Sequence, residues 1–86
     1  MFRPNDYRRK VQALGRNVAM NLEIDFVSCK WSGDNFTFIG VFRYKGVETE
    51  IILATRKELE DGTLREDNIE KKLHSWKINL DRNNSN

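Results

Sequence analysis

The chain has 86 residues, of which 38% are hydrophobic and 33% charged, and its formal net charge is +2. That length suits one small domain with a thin core, and the balance of apolar and charged residues excludes disorder throughout. No apolar run approaches the roughly 20 residues of a membrane-spanning helix, and the first ten residues lack the apolar stretch of a secretory signal, so the sequence predicts a soluble, cytoplasmic protein with no membrane contact.

Residues 6–22, DYRRKVQALGRNVAMNL, are predicted to form a helix. Tyr7, Val11, Leu14, Val18 and Leu22 recur at three- and four-residue spacings, which makes one apolar stripe. Asn5 or Asp6 is expected to cap its start, just after Pro4. Gly15 weakens the helix by roughly 1 kcal/mol relative to Ala. It either admits a close approach to another element or marks a bend. The charge of the chain is uneven here. Residues 1–16 hold five cations against Asp6, a net +4, whereas residues 17–50 carry −2 and the remainder cancels. On a helical wheel Arg9 and Arg16 lie nearly opposite the apolar stripe, with Arg8 and Lys10 on its flanks.

Residues 23–31, EIDFVSCKW, are predicted to form a strand. Alternation puts Ile24, Phe26 and Ser28 on one face and Asp25, Val27, Cys29 and Trp31 on the other. SGDN, residues 32–35, is turn chemistry. In FTFIGVFRYK, residues 36–45, the same alternation gives an aromatic face of Phe36, Phe38, Phe42 and Tyr44, with Gly40 as a gap. Thr37, Ile39, Val41, Arg43 and Lys45 face the other way. Lys45-Gly46 is a tight reversal, although Lys is unusual where positive φ is needed. VETEIILATR, residues 47–56, then divides into Val47, Thr49, Ile51 and Leu53 against Glu48, Glu50, Ile52 and Ala54. Two short reversals in succession imply an antiparallel meander.

KELEDGT is expected to be polar and turn-like. In TLREDNIEKKLHSWKINL the pair Thr63 and Glu66 matches a capping box, and Leu64 or Ile69 through Leu73, Trp76 and Leu80 make a second helical stripe. Acidic residues lead this helix and basic ones follow, which suits the helix dipole. The expected fold is therefore α+β: a small two-layer domain over residues 1–80, order α-β-β-β-α, with two helices packed on a three-stranded antiparallel meander. Residues 81–86 are expected to be a frayed polar tail.

This element order resembles that of the double-stranded-RNA-binding domain. That family carries a Lys-rich run at the start of its last helix, which grips phosphates. The corresponding segment here, ELEDGTLREDNIE, is acidic, so the resemblance extends to order and size and does not bring the function with it.

Catalysis needs a constellation, and none assembles from the sequence. His74 is the single histidine and Cys29 the single cysteine. No second ligand stands at metal spacing, no intrachain disulfide can form, and there is no Gly-rich phosphate loop. Glu58, Glu60 and Asp61 read as a polar turn. The expectation is a protein that is not an enzyme, has no metal or cofactor, and takes no small-molecule substrate.

The aromatic face is the better core, with the helical stripes as its cover. The other face then shows Val27, Trp31, Ile39, Val41 and Ile52, together with Cys29 and Ala54, inside a charged rim of Asp25, Arg43, Lys45, Glu48 and Glu50. Two outcomes stand open. Either a helix or chain end of the same molecule covers this face, or it is a protein interface with Trp31 as anchor, serving an adaptor, an inhibitor or a homodimer. A bulge near Gly40 would exchange the two faces. The alternative function is nucleic-acid binding through Arg8, Arg9, Lys10 and Arg16.

Overall fold

The computed structural model describes residues 2–84. Helix α1 spans Pro4–Leu22. Pro4 opens it because the ring fixes a helical φ where the missing N–H breaks no bond. The capping position falls on Arg3, which makes no side-chain bond, and Asp6 lies inside the first turn instead of before it. Glu23 ends the helix in a left-handed conformation (φ 58°), its N–H donating to the carbonyls of Ala19 and Met20. It therefore closes α1 and does not open the strand, and β1 spans Asp25–Ser32.

Strands β2 (Thr37–Tyr44) and β3 (Val47–Thr55) follow. The sheet runs β1-β2-β3 and is antiparallel throughout, the meander expected from the two reversals. Lys45 and Gly46 both take positive φ, 52° and 79°. That is the two-residue turn whose twist matches the flanking strands. The β1–β2 turn occupies residues 33–36, one position later than SGDN. The shift takes Phe36 out of the strand: it sits at φ 52° with its ring half exposed, off the aromatic face that alternation assigned to it.

The segment read as a polar turn is a helix. α2 spans Arg56–Asp61, and Thr55 and Glu58 cap it reciprocally: the Thr55 hydroxyl accepts from the Glu58 N–H, and the Glu58 carboxylate accepts from the Thr55 N–H. Left-handed Gly62 closes it. α3 spans Glu66–Asn84, so it begins three residues beyond Thr63 and continues past Leu80. Residues 81–84 are thus helical, not a frayed tail. Asp81 accepts a hydrogen bond from the Tyr44 hydroxyl at 2.8 Å and pairs with Lys45 at 2.8 Å, which ties this last turn to the β2–β3 reversal. The rest of the expected tail, residues 85–86, lies outside the described residues.

Two bulges rewrite the faces, and both are on edge strands. In β1, Phe26 pairs with Phe42 and Ser28 with Val41, leaving Val27 as the extra residue. Val27 and Ser28 are consecutively exposed, and Cys29 and Trp31 return to the face of Phe26. In β3, Ile52 pairs with Ile39 and Ala54 with Phe38, leaving Leu53 as the extra residue. Leu53 and Ala54 are consecutively buried. Gly40 itself sits in regular pairing with Cys29 and Ile51.

The core forms under the helices. Val11 and Val18 of α1, Phe38 and Phe42 of β2, Leu53 and Ala54 of β3, and Ile69 and Leu73 of α3 are all buried there, with Leu59 from α2. Tyr7, Leu14, Trp31, Tyr44 and Trp76 pack around them. α1 lies over all three strands and against α3, while α2 and α3 pack on β3. Gly15 faces the sheet: a Cβ there would stand 2.9 Å from Phe26 Cε1. Close approach, and not a bend, is the reason for this glycine. The longest dimension of the molecule is 51 Å.

Candidate functional site

Among the described residues, Ile39, Val41 and Ile52 of the second sheet face stay partly or largely exposed, while Thr37 at the end of that face is buried. The centre of the face is built from the register of β2 and β3: Ile39 stands beside Ile52, and Val41 stands two positions further along β2. Ile52 is 45% exposed, and Ile39 and Val41 are partly exposed. On the β1 side, Ser28 and Lys30 border these aliphatics; on the β3 side, Glu50 does. Lys30 Nζ reaches Glu50 Oε1 at 3.3 Å, across the central strand. Arg43 pairs with Glu48 one row further on. Both pairs are solvent-exposed, a setting in which an ion pair is worth about 0–1 kcal/mol. They leave the aliphatic centre accessible and fix the sign of charge on either side of it.

Of the five residues expected at a protein interface, Ile39, Val41 and Ile52 come together on this face. Val27 stands apart as the exposed bulge residue of edge strand β1. Trp31 is a correction: the bulge turns it to the helix side. There its ring meets Phe38 edge-on at 5.0 Å and Phe2 at 5.4 Å, and it packs against the core. Cys29 and Ala54 are buried there too. Lys45, expected on the rim, is held by Asp81 on the helix side. Lys30 was not among the expected rim residues, because its place opposite Glu50 depends on the β1 bulge.

The four cations expected to bind nucleic acid also divide. Arg8 turns inward: its guanidinium donates to the Cys29 carbonyl at 3.3 Å and lies 5.9 Å from the Phe38 ring centroid. Arg9, Lys10 and Arg16 are exposed, with the Arg16 guanidinium 5.9 Å from the Phe26 ring centroid. Arg3, at the head of α1, is exposed as well.

A further groove, of about 440 Å³, is lined by Asn35, Phe36, Thr55, Arg56, Lys57, Glu60 and Asp61. Arg56 lies 5.2 Å from the Phe2 ring centroid and 5.8 Å from that of Phe36, and it is already paired with Glu60 at 2.8 Å. The sequence reading missed this corner because it left Phe36 in the strand.

Burial pushes the Cys29 thiol above its ordinary pKa, with Arg8 opposing, so the thiolate that a nucleophile requires is disfavoured. His74 is exposed beside Asp67, Glu70 and Lys71. Among the described residues no group of three or more His, Cys, Asp or Glu is placed to hold a metal ion, and no helix is long and apolar enough to cross a membrane. No family model, curated protein or solved structure matches the chain.

Proposed function

We propose that this chain is a small non-catalytic module that acts by protein–protein contact, and that the contact is a homodimer through the open face of the sheet. The observation that carries this reading is one-sided packing. The helices lie against one face, and Ile39, Val41 and Ile52 stay together on the other. An accessible aliphatic centre with charged borders has the anatomy of an interface.

The charge layout favours a second copy as the occupant. Lys30 is on β1, and Glu48 and Glu50 are on β3, on either side of the central strand. A two-fold axis along β2 lays β3 of one copy over β1 of the other. Each Lys30 then faces the acidic strand of the opposite copy, and in the next row Arg43, near the axis, stands between Asp25 and the opposite Glu48. Three acids (Asp25, Glu48, Glu50) against two cations (Lys30, Arg43) give this face no pull on a polyanion.

Area sets the strength. Three strands at their usual spacing make a face about 14 Å wide. Two such faces bury less than the roughly 1,200 Å² of a standard-size interface. The dimer therefore belongs to the weak, transient class, with dissociation in the range of about 10 μM to 1 mM.

Sedimentation velocity across that concentration range tests the reading. The average mass is expected to rise towards twice 10.2 kDa. A Val41→Ser/Ile52→Ser variant is expected to stay monomeric with an unchanged circular dichroism spectrum. A wild-type mass that stays monomeric throughout, or a variant that associates as the wild type does, overturns it.

A further inference from the structure

We infer that the outward face of α1 is a binding surface for the phosphate backbone of duplex DNA. This surface lies on the helix layer, away from the open sheet face, and does not depend on dimerisation.

The first observation is uncompensated charge. Residues 1–16 hold five cations and one acid. Ion pairs join Lys30 to Glu50, Arg43 to Glu48, Lys45 to Asp81 and Arg56 to Glu60. Each of them lies in the strands, the β2–β3 turn, α2 or α3. The exposed cations of the first segment, Arg3, Arg9, Lys10 and Arg16, have no such carboxylate partner among the described residues. Residues 17–50 carry a net −2 and the remainder cancels, so the positive field of the molecule is concentrated on this helix.

The second observation is spacing. Arg9 and Arg16 are seven residues apart, which puts them on nearly the same side of the helix and about 10.5 Å apart along its axis. That rise matches about three base steps of one DNA strand at 3.4 Å each. Lys10 lies on the opposite flank of the same outward face, with Asp6, Ala13, Asn17 and Met20 between the two rows, all exposed, so that Asp6 is the one acid at the N-terminal end of the surface. The cations thus border a low ridge that can come close to a backbone. Arg16 is also steadied by Phe26 beneath it, so less side-chain freedom is lost when it binds. Arginine, with its forked donors, predominates over lysine here, which suits phosphate oxygens. Arg8 is excluded from the surface by its bond to Cys29.

No base-reading arrangement accompanies these groups, so binding is independent of sequence and dominated by counterion release. With about three phosphates neutralised, the logarithm of affinity falls with the logarithm of salt at a slope near −2.7, or roughly 40-fold between 50 and 200 mM.

Fluorescence anisotropy with a labelled 20-base-pair DNA duplex tests this in the full chain. The wild type is expected to bind at 50 mM salt with that slope. Arg9→Glu/Arg16→Glu and Arg9→Gln/Arg16→Gln are each expected to lose at least tenfold, and Arg9→Lys/Arg16→Lys to keep the slope. The Val41→Ser/Ile52→Ser variant is expected to bind as the wild type does, which separates this surface from the dimer contact. Absence of binding at 50 mM salt, a slope near zero, or wild-type affinity in a folded charge-reversal variant overturns the inference. Tighter binding of the single strand than of the duplex overturns the choice of occupant.

Discussion

Gly15 and Gly40 are opposed across one side chain. A Cβ at Gly40 would stand 2.8 Å from both Leu53 Cδ1 and Phe42 Cε2, and one at Gly15 would stand 3.4 Å from the same Leu53 methyl. Leu53, the bulge residue of β3, therefore fills the notch that the two glycines leave. The cost of filling that notch differs between the sites. Alanine at position 15 gains about 1 kcal/mol of helix propensity, against a single short contact with the Phe26 ring edge. At position 40 it meets two buried side chains, which have no open space to move into. Overpacking of this kind costs about 1–3 kcal/mol. Gly40→Ala is therefore expected to destabilise by about 2 kcal/mol, and Gly15→Ala by less than half as much. Urea midpoints of the two variants check the ranking; equal costs would show that Leu53 is not wedged as described. The sequence reading identified Gly40 as a gap in an aromatic face and gave close approach as one of two roles for Gly15. Alternation put Leu53 on the core side, but could not name it as the residue in the gap, because alternation assigns faces and not the register that sets Leu53 against Gly40.

At the scale of elements, regular periodicity was the part of the fold that could be read directly. The apolar stripe of α1, the meander and most of the second long helix follow from spacings of three, four and two. What was missed depends on single junctions. α2 announces itself only through Thr55 and Glu58, the same T-x-x-E pattern that was applied eight residues later at Thr63 and Glu66. Length misled: six residues is below what periodicity can detect. The extension of α3 to Asn84 depends on tertiary anchoring that local composition does not report. Tyr44 packs edge-on to Trp76 at 6.3 Å and donates to Asp81, while Lys77 donates to the Leu22 carbonyl at 2.6 Å. The anchor is pH-sensitive on both sides. Hydrogen bonds from Lys45 and then Tyr44 hold the Asp81 carboxyl below its ordinary pKa. Its contribution is full at neutral pH and is lost as pH falls through that lowered value, below about 4. The bond to Asp81 raises both the Tyr44 hydroxyl and the Lys45 ammonium. Their contribution is full below about pH 10 and is lost above it. The Trp76 indole N–H resonance is expected to move below about pH 5 and again above about pH 9. In Asp81→Asn the acid-side movement should vanish; its persistence would place the titrating group elsewhere.

For the molecule as a whole, the decisive question is which residues belong to folding and which are left for contact. Alternation alone grouped Trp31 with Val41 and Ile52, and one extra residue in β1 separates them. Trp31 packs on Phe38 and Phe2 under the helices, whereas Ile52 remains 45% exposed on the open face. A domain of this size has only about 5–15 kcal/mol of stability in total, so the two positions should behave very differently. Losing a fully buried Trp costs about 3–5 kcal/mol, and Trp31 is partly buried, so Trp31→Ser is expected to cost about 2–3 kcal/mol. Ile52→Ser removes an accessible side chain and should change stability by no more than about 0.5 kcal/mol. Association should show the reverse order. At a protein concentration where the wild type is partly dimeric, Ile52→Ser should lower the average mass. Trp31→Ser should leave it unchanged for as long as that variant remains folded. Urea unfolding and sedimentation on the same two samples decide the matter. Similar stability losses at both positions would mean that the open face is part of the core. A mass change confined to Trp31→Ser would move the contact to the end of the sheet where Phe2, Phe36 and Arg56 cluster.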